Sequence, residues 1–145
     1  MITVYTDGGC SGNPGPGAWS FVAIGGGVDR RRSGYERQTT NNRMEIQAVI
    51  EALREVVVAD MKAQPVAVHT DSRYVQQGIT QWVSRWVRNG WQTSGKAPVK
   101  NAEQWRALLD LTSGRPVEFH WVRGHAKVAF NEECHRMVKE RSRAG

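Results

Sequence analysis

Hydrophobic and polar residues alternate with a period of two at the start of the chain. Ile2, Val4 and Thr6 interleave with Thr3, Tyr5 and Asp7, the pattern of a half-buried strand. Gly8-Gly9 is expected to turn the chain directly after the carboxylate. Ala18 to Ile24 predicts a second strand, turned by Gly25-Gly26-Gly27. Val28 to Thr39 is polar and basic and reads as an edge strand carrying Arg30, Arg31 and Arg32. Three strands joined by short turns predict an antiparallel meander. The connection "DGGCSGNPGPG", Asp7 to Gly17, has the glycines and prolines of an open-backbone turn. It follows neither the Walker nor the dinucleotide pattern, so a nucleotide site is not expected.

The period then changes to that of a helix. Ile46, Val49, Ile50, Leu53, Val56 and Val57 share one face, and Thr39 to Asn42 offers N-cap side chains. Glu45 has two readings. With Asn42 as N-cap it occupies the third position of a capping box, and it also borders the buried face, where it would point at the sheet. After a connector, Val66 to Asp71 predicts a fourth strand, so the intervening helix is a right-handed crossover and the sheet is mixed. Ser72 is expected to cap a short helix towards Gly78, and "ITQWVSRWVRNGW" continues as a second helical piece. "AEQWRALLDL" predicts a further amphipathic helix, Arg115 to Val122 a fifth strand, and Glu132 to about Arg143 a terminal helix.

Length and composition add little to this α/β picture except in charge. The 145 residues suit one domain with a buried core. No apolar run approaches the roughly 20 residues that cross a bilayer, and "MITVYTD" lacks the layout of a signal peptide, so the expectation is a cytoplasmic protein with no membrane partner. Cys10 and Cys134 are then expected to be reduced thiols. The net charge of +6 points to an anionic partner. From Ser72 to Ala102 there is no Asp or Glu, while Arg73, Arg85, Arg88, Lys96 and Lys100 all lie in that stretch. Tryptophans interleaved with basic residues describe a nucleic-acid contact surface. Trp82, Arg88, Lys96 and Lys100 are the expected contacts. Trp86 fits better in the core, and a solvated arginine face on an ordinary helix is the plainer alternative.

Candidate chemistry begins with two strands that each deliver an aspartate, Asp7 and Asp71. Aspartate also initiates turns, so either one alone is weak. Together they suggest one charged site at the sheet edge, towards which Glu45 would point in the second of its two readings.

The ordered motifs "YTDGGCSGNPGPGAW", "TTNNRMEIQAVIEAL", "HTDSRYVQQGITQWV", "GWQTSGKAPVKNAEQW" and "WVRGHA" resemble bacterial type 1 ribonuclease H over nearly the whole chain. The resemblance implies the ribonuclease H-like α/β fold, a five-stranded mixed sheet with its first three strands antiparallel and helices on both faces. It implies a metal-dependent endonuclease that cuts the RNA strand of RNA–DNA hybrids, leaves 5′-phosphate and 3′-hydroxyl ends, acts as a monomer, and uses two Mg2+ ions or Mn2+ in their place. Asp7, Glu45 and Asp71 match the family's metal-binding acids, and His125 its loop histidine. Thr40 and Asn101 match residues that hold a phosphate of the DNA strand. Asn13, Asn41 and Asn42 match hybrid contacts, and Cys10 a position near the substrate. The chain departs from the pattern at His135, where the family carries a fourth carboxylate; imidazole suits manganese better than magnesium, and His135 is expected to touch metal, water or a neighbouring acid. That departure keeps open an alternative, a hybrid-binding module with little or no catalysis.

Overall fold

The computed structural model describes residues 1–123 and 129–144. Strands β1 (Ile2–Cys10), β2 (Gly15–Gly25) and β3 (Val28–Thr39) are followed by helix α1 (Asn41–Ala59) and strand β4 (Val66–Thr70). Helix α2 (Arg73–Gln77), a π-helical segment (Gly78–Trp82) and helix α3 (Val83–Arg88) form one run; helix α4 (Ala102–Thr112), strand β5 (Val117–Trp121) and helix α5 (Ala129–Ala144) complete the chain. The sheet order is β3-β2-β1-β4-β5. β1 pairs antiparallel with β2 and β2 antiparallel with β3, whereas β1–β4 and β4–β5 are parallel. This is the expected mixed sheet, with β3 at one edge.

Alternation along the central strands decides which helix covers which face. Ile2, Val4, Phe21 and Ala23 join Ile46, Val49, Ile50 and Leu53 of α1 and Trp105 and Leu108 of α4 in one core. Tyr5 and Ser20 lie between those positions and face α5. The Tyr5 ring meets that of Phe130 with centroids 5.3 Å apart, the Cys134 thiol donates to the Tyr5 carbonyl at 3.3 Å, and the Ser20 hydroxyl donates to the Cys134 carbonyl at 2.7 Å. Helices therefore cover both faces. Both cysteines are free, and burial pushes the Cys134 thiol up to about 12, so it is an inert packing group. No helix of the described residues is long and apolar enough to cross a membrane.

Three expectations need correction. β1 does not end at Asp7: Gly8, Gly9 and Cys10 continue it, paired with Trp19, Ala18 and Gly17. Glycine is permitted in extended backbone as well as in turns, and the partner strand decides between them. The helix cap is Thr40, whose hydroxyl oxygen accepts from the Arg43 N–H at 3.2 Å. Arg43 thus takes the third position, and Glu45 forms no capping box. β4 ends at Thr70, one residue before Asp71.

The far end of the sheet is tied by a buried ion pair. Asp60 caps the C-terminus of α1, and Arg115 donates to its carboxylate at 2.7 Å and to its carbonyl at 3.0 Å. Both side chains are less than a tenth exposed. Hydrogen bonds from Gln64, then from Arg115, hold the Asp60 carboxyl down to about 2. An acid with a lowered folded value stabilises the fold above its ordinary value of 3.8 and loses that contribution as pH falls through about 2. Arg115→Met leaves this carboxylate without its guanidinium and is expected to lower the thermal midpoint at pH 7 several times more than Arg54→Met. Arg54 pairs with Glu51 on the surface, where such pairs contribute little. Equal shifts in the two melting curves would refute the structural role given to Arg115.

Candidate active site and nucleic-acid cleft

Three elements bring three acids together. Asp7 lies within β1, Glu45 on the sheet-facing side of α1, and Asp71 directly after β4. One carboxylate oxygen of each lies within 4.8 Å of the others. The close approach of α1 to β1 depends on Gly8. A Cβ there would stand 2.6 Å from the Glu45 nitrogen and 2.6 Å from the Met44 carbonyl oxygen. The segment that reads as a turn in the sequence is thus a strand with room for a helix end.

The electrostatics are those of buried acids crowded against one another. Burial, then the nearby Asp71, raises the Asp7 carboxyl to about 6; His135 and the Gly8 N–H pull in the opposite direction. Glu45, almost fully enclosed, is raised well above its ordinary value by burial and then by Asp71 and Asp7. Its Oε2 is buried without a hydrogen-bond partner among the described residues. A buried carboxylate oxygen with an open valence, in an all-oxygen donor set, fits a hard divalent cation. Backbone contacts hold the set in place: the Trp121 indole donates to the Asp71 carbonyl at 3.0 Å. The Arg73 guanidinium lies 3.8 Å from the centroid of that indole, which places a cation close to Asp71 in the chain.

His135 sits against this cluster, its Nδ1 3.2 Å from Asp7 Oδ2. The side chain expected where the family carries a fourth acid therefore does reach the first acid. His125 lies outside the described residues.

Beside the acids is a cleft of about 690 Å³ lined by Asn13, Thr40, Asn42, Tyr74, Trp86, Thr93, Ala97, Pro98, Val99, Lys100 and Asn101. It gathers five of the expected contacts: Asn13, Thr40, Asn42, Lys100 and Asn101. Asn41 borders it, its N–H donating to the Asn13 side chain at 3.0 Å. Cys10 is not in the lining; its thiol is turned to the Thr39 and Gly15 carbonyls, at 3.3 and 3.4 Å. Trp82 lies outside it too, its ring 5.9 Å from those of Tyr74 and Trp86. Arg88 and Lys96 are exposed on the same acid-free segment but do not line the cleft. Trp86, expected in the core, is half-buried: it packs on Trp105 at 5.5 Å and still lines the cleft. Tyr74 and Thr93 were not anticipated. The acid-free stretch is the signal that contains both, but nothing in it separates them from other polar residues.

Three segments contribute to both places, and Trp86 and the stretch from Thr93 to Asn101 complete the cleft. The β1–β2 segment carries Asp7 and Asn13, the start of α1 carries Thr40 and Glu45, and the stretch after β4 carries Asp71 and Tyr74. A ligand held in the cleft is therefore held in fixed register with the acids.

The sequence model of the RNase H family matches residues 1–143. The chain belongs to the ribonuclease H family. It is 50% identical over 131 residues to a protein named ribonuclease H from Chromohalobacter salexigens, covering 90% of this chain and 77% of that one. A ribonuclease H from Nitrobacter hamburgensis is 45% identical over 139 residues, covering 96% and 89%. Among solved structures, LC9-RNase H1, described as a type 1 RNase H with the type 2 active-site motif, superposes with a TM-score of 0.83 at 34% identity, covering 99% of this chain and 72% of that one. LC11-RNase H1, solved in complex with an RNA/DNA hybrid, shares the fold with a TM-score of 0.77 at 23% identity, covering 99% and 98%. The ribonuclease H fold expected from the motifs is the fold observed.

Proposed function

We propose that this ribonuclease H binds an RNA–DNA hybrid across the cleft and hydrolyses its RNA strand at the Asp7, Glu45 and Asp71 cluster, as a single domain acting as a monomer in the cytoplasm. The observation that carries the reading is that three segments each contribute both to the cleft and to the cluster. Divalent cations, magnesium or manganese, supply Lewis-acid activation of water and neutralisation of charge at the leaving oxygen. Asp7, Glu45 and Asp71 hold them, and His135 adjusts Asp7 from the side. Gly8 fixes the separation of Asp7 and Glu45, and Trp121 fixes the Asp71 backbone. Thr40 and Asn101 engage a phosphate of the DNA strand, while Asn13, Asn41 and Asn42 contact the hybrid, where a 2′-hydroxyl distinguishes RNA from DNA. His125 assists proton transfer or product departure. Trp82 and Cys10 lie beside the path of the hybrid.

Incubation of a labelled hybrid with magnesium, manganese or chelator, beside single-stranded RNA and duplex DNA, tests the reading. Metal-dependent cleavage confined to the RNA of the hybrid is expected. Binding without cleavage under every metal condition would favour the non-catalytic module.

His135→Asp restores a fourth carboxylate, and it is expected to raise the ratio of magnesium-supported to manganese-supported cleavage by about tenfold, on the grounds of ligand hardness. An unchanged ratio would remove His135 from the metal chemistry.

Arg88, Lys96 and Lys100 are exposed and make no ion pair among the described residues. Replacing all three by Gln is expected to weaken hybrid binding and to flatten the log–log salt dependence by nearly 3 (about 2.7), since each neutralised phosphate contributes slightly less than one. A slope identical to wild type would show that they are not phosphate contacts.

A further inference from the structure

The hydrogen bonds behind the cleft leave one proton without a place in the protein. Arg43 donates to Asn101 Oδ1 at 3.0 Å and to Glu103 Oε1 at 2.8 Å. A guanidinium has no acceptor, so the amide oxygen of Asn101 must face Arg43 and its NH2 group must face the other way. That NH2 donates to Tyr74 Oη at 3.2 Å. The Trp105 indole N–H, also donor-only, reaches the same oxygen at 3.2 Å. A tyrosine hydroxyl accepts with its lone pairs and carries a single hydrogen. Two obligate donors occupy the accepting side of Tyr74, and neither can take its hydrogen. That hydrogen is left for an acceptor outside the network, and Tyr74 lines the cleft.

The lining selects the acceptor. Lys100 is its charged side chain, no Asp or Glu contributes among the described residues, and Thr40, Asn13 and Asn42 add hydroxyl and amide groups. The partner that fits is an anionic oxygen with no hydrogen of its own. We propose that Tyr74 is a substrate-binding residue whose hydroxyl donates to a non-bridging phosphate oxygen of the hybrid. Arg43 is the positioning residue that sets the direction of the whole relay. This rests on the hybrid reading above. The ring of Tyr74 is held by Trp105 and Trp82 at 5.3 and 5.9 Å, so the donor is presented on a rigid frame. Without Arg43 the Asn101 amide is free to turn over. Its oxygen then takes the Tyr74 hydrogen internally, and the phosphate loses its donor.

Tyr74→Phe removes the donor, but it also strands Trp105 and Asn101, so a stability change alone decides nothing. Coupling decides. Hybrids that carry one uncharged methylphosphonate at successive positions of either strand are bound by wild type, Tyr74→Phe and Arg43→Ala. One methylphosphonate position is expected to weaken wild-type binding about tenfold, and Tyr74→Phe to weaken binding of unmodified hybrid about tenfold, the scale of a hydrogen bond to a charged group. Combined, they are expected to cost far less than a hundredfold at that position and the full product elsewhere. Arg43→Ala leaves the Tyr74 ring untouched and should show the same coupling at the same phosphate, which keeps the test open if Tyr74→Phe does not fold. Additive losses at every position for both variants, with hybrid cleavage intact, would overturn the role of Tyr74 alone. Wild-type protein that neither binds nor cuts hybrid would overturn the functional reading with it.

Discussion

Asp7→Asn is expected to lower metal-dependent cleavage of the hybrid by at least about a thousandfold, the several kcal/mol that a positioned metal contributes, and at the same time to raise the thermal midpoint of the metal-free protein at pH 7.5. The second half follows from the cost of the cluster. Burial and Asp71 raise the Asp7 carboxyl from 3.8 to about 6. An acid with a raised folded value binds its proton more tightly in the native state, so the fold is favoured at low pH and weakened as pH rises from about 4 through 6. At 1.36 kcal/mol for each pH unit, a rise of about 2 units removes about 3 kcal/mol by neutral pH. Glu45 acts in the same direction. An amide at position 7 has no charge to bury, so this penalty is absent. Melting curves in chelator at pH 4.5 and 7.5 check the sign: the wild type should be more stable at the lower pH, and the variant should show a smaller difference. Added divalent cation should recover the loss in the wild type at pH 7.5 by mass action. A variant that melts below the wild type in chelator at pH 7.5 would show that the acids are not in mutual repulsion.

The three acids were legible in the sequence because two of them follow period-two apolar runs and the third lies on a helix whose apolar spacing faces the sheet. The mixed character of the sheet was legible for a similar reason: a meander followed by strand, helix, strand joins antiparallel to parallel pairing, whereas the order of the strands came from the structure. What was not legible are properties that two distant segments create jointly. Asn42 and Thr40 are both acceptable caps by residue type, and only the backbone settled on Thr40. That choice turned Glu45 from a cap into a buried site residue. The helical spacing of Trp86 places it in the core, yet a helix that passes through a π-helical segment presents its side chains at a shifted angle; Trp86 ends half in the core and half in the cleft. The open hydrogen of Tyr74 depends on Asn101 and Trp105, 27 and 31 residues away, and no local pattern encodes which lone pairs of a hydroxyl are already taken.

Gly8→Ala is expected to have the largest effect of any change outside the acids, and it acts through them. The segment Gly8-Gly9 has the look of a turn, but Gly8 pairs with Trp19 inside β1 and α1 lies directly against it. A methyl group there meets backbone, with the Glu45 nitrogen and the Met44 carbonyl oxygen each 2.6 Å away. Neither is the end of a flexible side chain, so the strand and the helix must separate by roughly 1 Å to restore ordinary contact distance. Overpacking of this kind typically costs about 1–3 kcal/mol, which melting in chelator will read as a lowered midpoint. Activity should fall further than stability explains. Displacement of α1 carries Glu45 away from Asp7, and a shift of about 1 Å in a catalytic group costs about a hundredfold. The comparison that isolates this effect is Gly9→Ala, because among the described residues a Cβ at Gly9 meets only the Val138 side chain at 3.6 Å, an ordinary contact. Gly9→Ala should keep near-wild-type metal-dependent cleavage while Gly8→Ala loses it at a temperature where both remain folded. Equal activity in the two variants would mean that the spacing of Asp7 and Glu45 is not set by the missing side chain at position 8.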